Sequence, residues 1–234
     1  MFLTRPASRI PLFTAHTCDF LYHGLVDFVH PVEAVVPGVR GRVLATLAAT
    51  DAEMTMTTVA RLSDVSINRA VTVLNELVHL GLVKRREAGS AALVCLAREN
   101  CASRVILALS GLAHTVVDRL REAAEEIRPT PAGLILFGSF ARGEASAQSD
   151  IDVLALRRSG VPEDDEPWLD SLGRWTTTAH QITGNAVNVI DRAVDELPPL
   201  LRAGAPLWQE IARDGRVLVG TGVSALIGHG AGPE

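Results

Sequence analysis

The stretch LILFGSFARGEASAQSDIDVL, residues 134–154, decides the fold of the C-terminal part of this 234-residue chain. It opens with the apolar run Leu134 to Phe137, which is typical of a short buried strand. Gly138 and Ser139 follow, and Ser139 is predicted to be the N-cap of a helix. After ten more residues, Asp150-Ile151-Asp152 leads into a second apolar run. Because residues i and i+2 of a strand share a face, the two carboxylates are predicted to project side by side.

Two carboxylates held this close repel each other unless a cation compensates their charge. Mg²⁺ is commonly held by one or two carboxylates together with the phosphates of a substrate. The Gly138-Ser139 turn offers free backbone N–H groups, a small hydroxyl and close access to the backbone, all of which suit a phosphate. The two features together predict a triphosphate site with Mg²⁺ or Mn²⁺ at Asp150 and Asp152.

This spacing, Gly138-Ser139, ten residues, then Asp150-Ile151-Asp152, resembles the signature of the DNA polymerase beta nucleotidyltransferase superfamily, in particular its minimal (MNT-type) branch. The resemblance implies transfer of a nucleoside monophosphate from an NTP, with ATP the expected one, to an acceptor hydroxyl. It implies that Asp150 and Asp152 are the catalytic carboxylates and metal ligands. The residues that it assigns to the nucleotide phosphates are Gly138, Ser139, Arg142 and Ser149.

The superfamily usually carries a third carboxylate on the strand that follows the intervening helix. Here the corresponding segment is Ala186 to Asp191, and its apolar pattern puts Asn188 at the acidic position. An asparagine can offer a carbonyl oxygen to a metal, but it is uncharged and cannot act as a base. Asp191 lies three residues further on, and that odd offset puts it on the opposite face of a regular strand. The sequence therefore leaves open whether catalysis survives.

The N-terminal part shows a second pattern, which begins at Gly41. Apolar spacing predicts a helix that ends near Asp51, a helix over Thr55 to Leu62, and a third helix from the N-cap Ser66 to about Leu80. Gly81 is placed to stop the third helix. A strand over 82–86, a Gly-Ser turn and a returning strand over 91–96 are predicted to follow.

Three helices and a basic hairpin resemble a winged helix-turn-helix domain of bacterial regulators. The resemblance implies DNA binding and a homodimer. The third helix would read the major groove and the hairpin would contact the phosphate backbone. The residues implied are Ser66, Asn68, Arg69, Thr72, Lys84, Arg85 and Arg86. A module that only dimerises or binds a protein is the alternative.

Charge and composition are consistent with this division. Residues 40–104 hold nine Lys or Arg against six Asp or Glu, whereas residues 131–234 hold eight against fourteen. Such asymmetry hints at one half that faces nucleic acid and one acidic half. The three cysteines are widely spaced, which argues against a disulfide framework or a structural zinc site and favours the cytoplasm. No apolar run is long enough to span a membrane.

The predicted architecture is α+β with two domains. The expected segments are an N-terminal arm over 1–35, the winged helix-turn-helix over 36–100, a linker or dimer helix over 101–129, the nucleotidyltransferase fold with a small mixed sheet over 130–220, and a loose tail over 221–234. Helices are also expected over 167–182 and 198–212. The sequence leaves two functions open: a DNA-binding protein whose second domain binds NTP·Mg and transfers a nucleotide to a protein or RNA, and a catalytically impaired regulator or antitoxin-like protein that senses nucleotide or binds a partner toxin.

Overall fold

The computed structural model describes residues 27–89, 91–146, 148–223 and 225. These residues fall into two compact units, which divide between His114 and Thr115. Most of the expected N-terminal arm and most of the expected tail lie outside the described residues. Among the described residues, no single helix is both long and apolar enough to cross a membrane; helices 101–110 and 112–124 pass that test only as a bent pair, by length and composition alone.

The first unit combines five helices with a three-stranded antiparallel sheet whose order is β1-β3-β2. Its elements are α1 (Pro31–Val35), α2 (Val39–Ala48), β1 (Met54–Thr55), α3 (Met56–Leu62), α4 (Ile67–His79), β2 (Val83–Ala88), β3 (Ala91–Leu96) and α5 (Cys101–Ser110). The predicted helices and both hairpin strands are therefore confirmed within a few residues. The two-residue strand β1 was not predicted.

A single apolar cluster holds the first unit together. Leu47, Leu74 and Leu77 are almost fully buried in it, beside Val59 and Val94. At the end of α4 the backbone N–H of Leu82 donates to the carbonyl of Leu77, and Gly81 adopts a positive φ of 71°. This left-handed stop costs least with glycine, which has no Cβ to clash. It turns the chain directly into β2.

The second unit contains a four-stranded mixed sheet in the order β6-β5-β4-β7. Strands β5 and β6 run parallel, and the other neighbouring strands run antiparallel. Helix α6 (Leu112–Ala124) begins at the boundary. It is followed by β4 (Gly133–Phe137), α7 (Gly138–Arg142), β5 (Ile151–Arg157), α8 (Glu166–Thr183), β6 (Val187–Ala193), α9 (Leu197–Arg202), α10 (Pro206–Asp214) and β7 (Arg216–Gly220).

Helices α9 and α10 cover one face of this sheet. Ile135 of β4 and Leu154 of β5 are directly paired, and both belong to a buried cluster with Trp208 and Ile211 of α10. Side chains alternate between the faces of a strand, so Asp152 shares this face with Leu154. The apolar cluster thus ends at the first residues of β5, where the two aspartates lie.

Three expectations about helices are wrong. The single helix expected over 101–129 is two helices that break at Gly111, whose φ of −88° and ψ of 6° leave the helical region. The helix expected over 198–212 is also two, since the chain turns at Gly204, which has a positive φ, and restarts at Pro206. The N-cap of α7 is Phe137 and not Ser139, because the helix begins two residues earlier than expected.

Candidate active site

The two aspartates lie at the beginning of β5, where the sheet surface changes from apolar to acidic. Asp150 directly precedes the strand and is exposed, whereas Asp152 is half-buried within it. Asp152 is paired with Phe137 on β4 and with Asn188 on β6. The register of the sheet therefore brings together the residue before the Gly-Ser turn, the aspartate pair and the asparagine.

Asn188 joins the two carboxylates. Its Nδ2 donates to Oδ2 of Asp150 at 3.1 Å and to Oδ1 of Asp152 at 3.2 Å. One amide nitrogen can reach both acceptors only if an oxygen of each aspartate points to the same spot. The two carboxylates repel each other there, and the neutral amide of Asn188 relieves only part of this repulsion.

Burial raises the pKa of the Asp152 carboxyl above its usual range. The nearby negative charges of Asp150 and Glu210 raise the pKa further, while the hydrogen bond from Asn188 opposes the shift. Burial penalises the charged form, and a like charge does the same. Keeping both carboxylates charged is therefore unfavourable in the folded protein, and a bound cation would offset the repulsion between them.

Gly138 forms the floor of the site. Its φ is +71°, and a Cβ added to it would lie 2.7 Å from Oδ2 of Asp152. Any side chain would therefore strain the backbone and collide with the carboxylate. The absence of a side chain also lets a ligand approach the backbone next to the aspartates.

Of the other residues expected to meet phosphate, Arg142 is engaged by acidic partners. It lies in the last turn of α7, its Nε donates to Glu144 at 2.8 Å, and its Nη1 donates to Glu210 of α10. Ser139 lies in the first turn of α7 and is partly buried. Gly138, Ser139 and Arg142 all lie on helix α7.

Ser149 shapes the loop before Asp150. Its hydroxyl accepts from the backbone N–H of Ser146 at 3.0 Å, and its carbonyl accepts from Nδ2 of Asn185 at 2.7 Å. Asn185 is buried and precedes β6. The sequence predicts Gly184 and Asn185 as the turn before this strand, but not the hydrogen bond from Asn185 to Ser149.

Asp191 lies on the opposite side of β6 and has a structural role. Its Oδ1 accepts from Nε of Arg157 at 2.9 Å, and its Oδ2 accepts from Nε1 of Trp168 on α8 at 3.0 Å. The Arg157 and Asp191 side chains are 6% and 9% exposed. The structure does not bring Asp191 to the aspartate pair.

Sequence reasoning also missed Glu210. It lies on α10, beyond any spacing that the sequence motif covers, yet its charge acts on Asp152 and its carboxylate holds Arg142. Within the described part of the chain, no three His, Cys, Asp or Glu side chains lie close enough to share one metal ion. Asp150 and Asp152 therefore form a two-carboxylate pair, with Glu210 further away.

The residues expected to meet DNA lie on the first unit. Ser66, Asn68, Arg69 and Thr72 are exposed along the first half of α4. The three basic residues of β2 are exposed but paired with carboxylates: Lys84 with Glu99 at 2.6 Å, Arg85 with Glu87 at 2.8 Å, and Arg86 with Glu53 at 2.5 Å. Sequence reasoning missed all three acidic partners.

Comparison with known proteins finds a family match within the second unit. A family model for the nucleotidyltransferase domain matches residues 117–197, from α6 to the beginning of α9. The chain thus contains a nucleotidyltransferase domain, as its sequence motif indicated. No curated protein sequence matches the chain.

One solved structure that resembles the chain is described as the crystal structure of a toxin-antitoxin with AMP-PNP. The alignment has 17% sequence identity and a TM-score of 0.34, and it covers 48% of this chain and 85% of that one.

Proposed function

We propose that the second unit binds a nucleoside triphosphate with a divalent cation and transfers the nucleoside monophosphate to a hydroxyl of a protein or RNA. The observation that carries this proposal is the convergence of Asp150 and Asp152 on one amide nitrogen of Asn188. A site that gathers two carboxylates and raises the pKa of one of them is suited to a cation.

The donor set favours Mg²⁺ or Mn²⁺, because both ions prefer carboxylate and carbonyl oxygens. Asp150 and Asp152 would hold the ion, and rotation of the Asn188 amide would present its carbonyl oxygen in place of its NH₂ group. When bound, the cation would neutralise charge on the phosphates during transfer. The nucleotide preference proposed is ATP.

The phosphate contacts come from the segment that begins at Gly138. The open backbone at Gly138 lies next to Asp152, Ser139 follows it in the first turn of α7, and the carbonyl of Ser149, in the loop before Asp150, is held by Asn185. Arg142 would exchange one of its carboxylate partners for a phosphate. A guanidinium is suited to this exchange because its planar fork binds carboxylate and phosphate in the same way.

We further propose that the first unit is a winged helix-turn-helix domain that binds DNA as a homodimer. The exposed half of α4 supports this proposal, since Arg69 is exposed and forms no ion pair with any described residue. Arg61, at the end of α3, is likewise exposed without such a pair. Two unpaired cations flanking the turn between α3 and α4 would be attracted to phosphates.

A second candidate function follows from Asn188. If the uncharged side chain at this position abolishes transfer, the domain would bind a nucleotide or a partner toxin and act as a regulator or antitoxin-like protein. The two candidates differ in one measurable property, which is the covalent transfer of the nucleotide.

The decisive experiment incubates the protein with α-labelled ATP, Mg²⁺ or Mn²⁺, and a host lysate as the source of acceptors. Wild type and the Asp150→Ala/Asp152→Ala variant are compared. We expect label on a protein or RNA band with wild type only. Metal-dependent ATP binding without label would favour the second candidate. No ATP binding at all would refute both transfer and nucleotide sensing, and would leave only the binding of a partner.

A further inference from the structure

Glu210 is a carboxylate beside the site that belongs to α10 and not to β6, where Asn188 stands at the acidic position. Helix α10 packs on the sheet face that carries Asp152, through Trp208 and Ile211. Glu210 lies between these two buried residues in sequence, and its side chain is one-third exposed. The helix is therefore anchored by its apolar side while its carboxylate reaches the rim of the site.

A hydrogen bond and an electrostatic effect relate Glu210 to the site. It is hydrogen-bonded to Arg142, which lies four residues after Gly138, and its charge is felt by Asp152. It nevertheless does not join Asp150 and Asp152 in a group that could hold one ion among the described residues. A carboxylate near the metal ligands but outside their group would contact the acceptor hydroxyl and not the metal ion.

The other carboxylates do not fill this role. Asp191 is buried against Arg157 and Trp168 on the far side of β6, and Asn188 has no carboxylate. Glu144 binds the same arginine as Glu210, but its side chain is 64% exposed and it does not influence Asp152. Glu210 keeps its Oε2 outside the bond to Arg142, and no described residue donates a hydrogen bond to that oxygen.

We propose that Glu210 is the base that activates the acceptor hydroxyl, in place of a carboxylate on β6; this inference rests on the proposed transferase function. Glu210 takes the proton of the acceptor hydroxyl, and the acceptor oxygen forms a bond to the α-phosphorus of the NTP. The bond from the α-phosphorus to the oxygen that bridges to the β-phosphorus breaks, and pyrophosphate leaves with the electron pair.

Arg142 connects this step to nucleotide binding. In the structure it occupies one oxygen of Glu210. A bound triphosphate would compete for the guanidinium, because phosphate and carboxylate are alternative partners of the same fork. Binding of the nucleotide would thereby release the second oxygen of Glu210 as well, at the time when there is a phosphorus to attack.

The test compares Glu210→Gln with Glu144→Gln, a matched control that removes the other carboxylate partner of Arg142. The assay measures initial rates of label transfer from α-labelled ATP to host lysate, and the binding of a non-hydrolysable ATP analogue with Mg²⁺ is measured separately. We expect Glu210→Gln to lower the maximal rate about 100-fold or more, the usual contribution of a general base. The apparent KM for ATP and the affinity for the analogue should stay within about threefold of wild type.

Glu144→Gln should keep the maximal rate within about threefold of wild type, and Glu210→Asp should recover part of the rate that glutamine loses. Equal losses in Glu210→Gln and Glu144→Gln would show that Glu210 acts only through Arg142, which overturns the proposal. An unchanged rate in Glu210→Gln would also overturn it, while leaving the proposed transferase function intact. No label with wild type would overturn the transferase function and this inference with it.

Discussion

At the scale of single residues, the aspartate pair illustrates a conflict between stability and function. Asp152 is half-buried beside Asp150, and the pKa of its carboxyl is raised, so its charged form is disfavoured in the folded protein. A group whose pKa is higher in the folded state stabilises the fold at low pH. That stabilisation is lost as the pH rises through the folded pKa. Without a cation, the charged aspartate pair should therefore lower the stability of the domain at neutral pH.

We expect Asp152→Asn to stabilise the metal-free protein at neutral pH. The difference in unfolding free energy from wild type should be near zero below about pH 4, where a carboxyl with a usual pKa is protonated, and should grow towards neutral pH. Because the side chain is only half-buried, solvent screening should keep the gain below about 1 kcal/mol.

Urea unfolding at several pH values measures this difference, and the same variant should lose Mg²⁺-dependent ATP binding. Ser146→Ala, in the loop before β5 and without a change of charge, serves as the control. A variant less stable than wild type at pH 7 would contradict the account given of Asp152.

At the scale of elements, Asp191 ties two strands and a helix together. Its carboxylate joins β6 to Arg157 on β5 and to Trp168 on α8. Arg157 also donates to the carbonyl of Val161, so the guanidinium is fully enclosed by local partners. Removing the acid would leave a buried cation without its counter-charge, and such a loss is costly.

We expect Asp191→Asn to lower the free energy of unfolding by about 3 kcal/mol, as when one partner of a buried ion pair is removed. Affinity for ATP with Mg²⁺ at a temperature well below the transition should remain within about threefold of wild type. Chemical denaturation and nucleotide titration on the same sample test both parts. Loss of nucleotide binding by a variant that is still folded would give Asp191 a role in the site.

Ion pairs partly neutralise the basic surface of the β2–β3 hairpin. Its basic residues are exposed, and each is paired with a carboxylate of the same unit. Exposed ion pairs contribute little to stability, so phosphates can displace the carboxylates. The pairing would nevertheless weaken the attraction of the hairpin for DNA.

If the first unit binds DNA, freeing a hairpin cation should strengthen that binding. We expect Glu53→Gln, which releases Arg86, to raise the affinity for a random duplex. Arg69→Ala should lower the affinity and reduce the slope of log K against log salt by about 1. Fluorescence anisotropy over a range of salt concentrations measures both. Equal binding by wild type and both variants would argue against DNA contact at α4 and the hairpin.

At the scale of the whole molecule, the chain consists of two units with separate cores. Leu74 and Leu77 belong to the core of the first unit, and Trp208 and Ile211 belong to the core of the second. Separate cores allow separate unfolding transitions. A ligand that binds one folded unit should then stabilise that unit alone.

We expect calorimetry of the intact chain to resolve two transitions, only one of which moves upward with ATP and Mg²⁺. At a ligand concentration of 100 times Kd, the gain should be about 2.7 kcal/mol in that unit. Asp191→Asn should lower the same transition, and Leu77→Ala should lower the other, because Leu77 is fully buried in the first core. A single transition that responds to all three changes would contradict independent units.

The sequence by itself determined the features that are encoded locally. The glycine and the two aspartates follow from their spacing around apolar runs, and the alternation along 186–191 was sufficient to put Asp191 on the opposite face from Asn188. The pairing of Asn188 with Asp152 is a finding of the structure. Helices and hairpin strands of the first unit likewise follow from short-range periodicity. The breaks at Gly111 and Gly204 were missed because apolar periodicity continues across them.

Only the tertiary structure decided which distant side chains complete these features. Glu210 is 58 residues from Asp152 in sequence, and its position depends on how α10 packs on the sheet through Trp208 and Ile211. The carboxylates that pair with Lys84 and Arg86 are likewise brought in by the folding of the first unit. Periodicity reports which face of an element is buried, but not which element covers it, and the charges at the rim of a site depend on that choice.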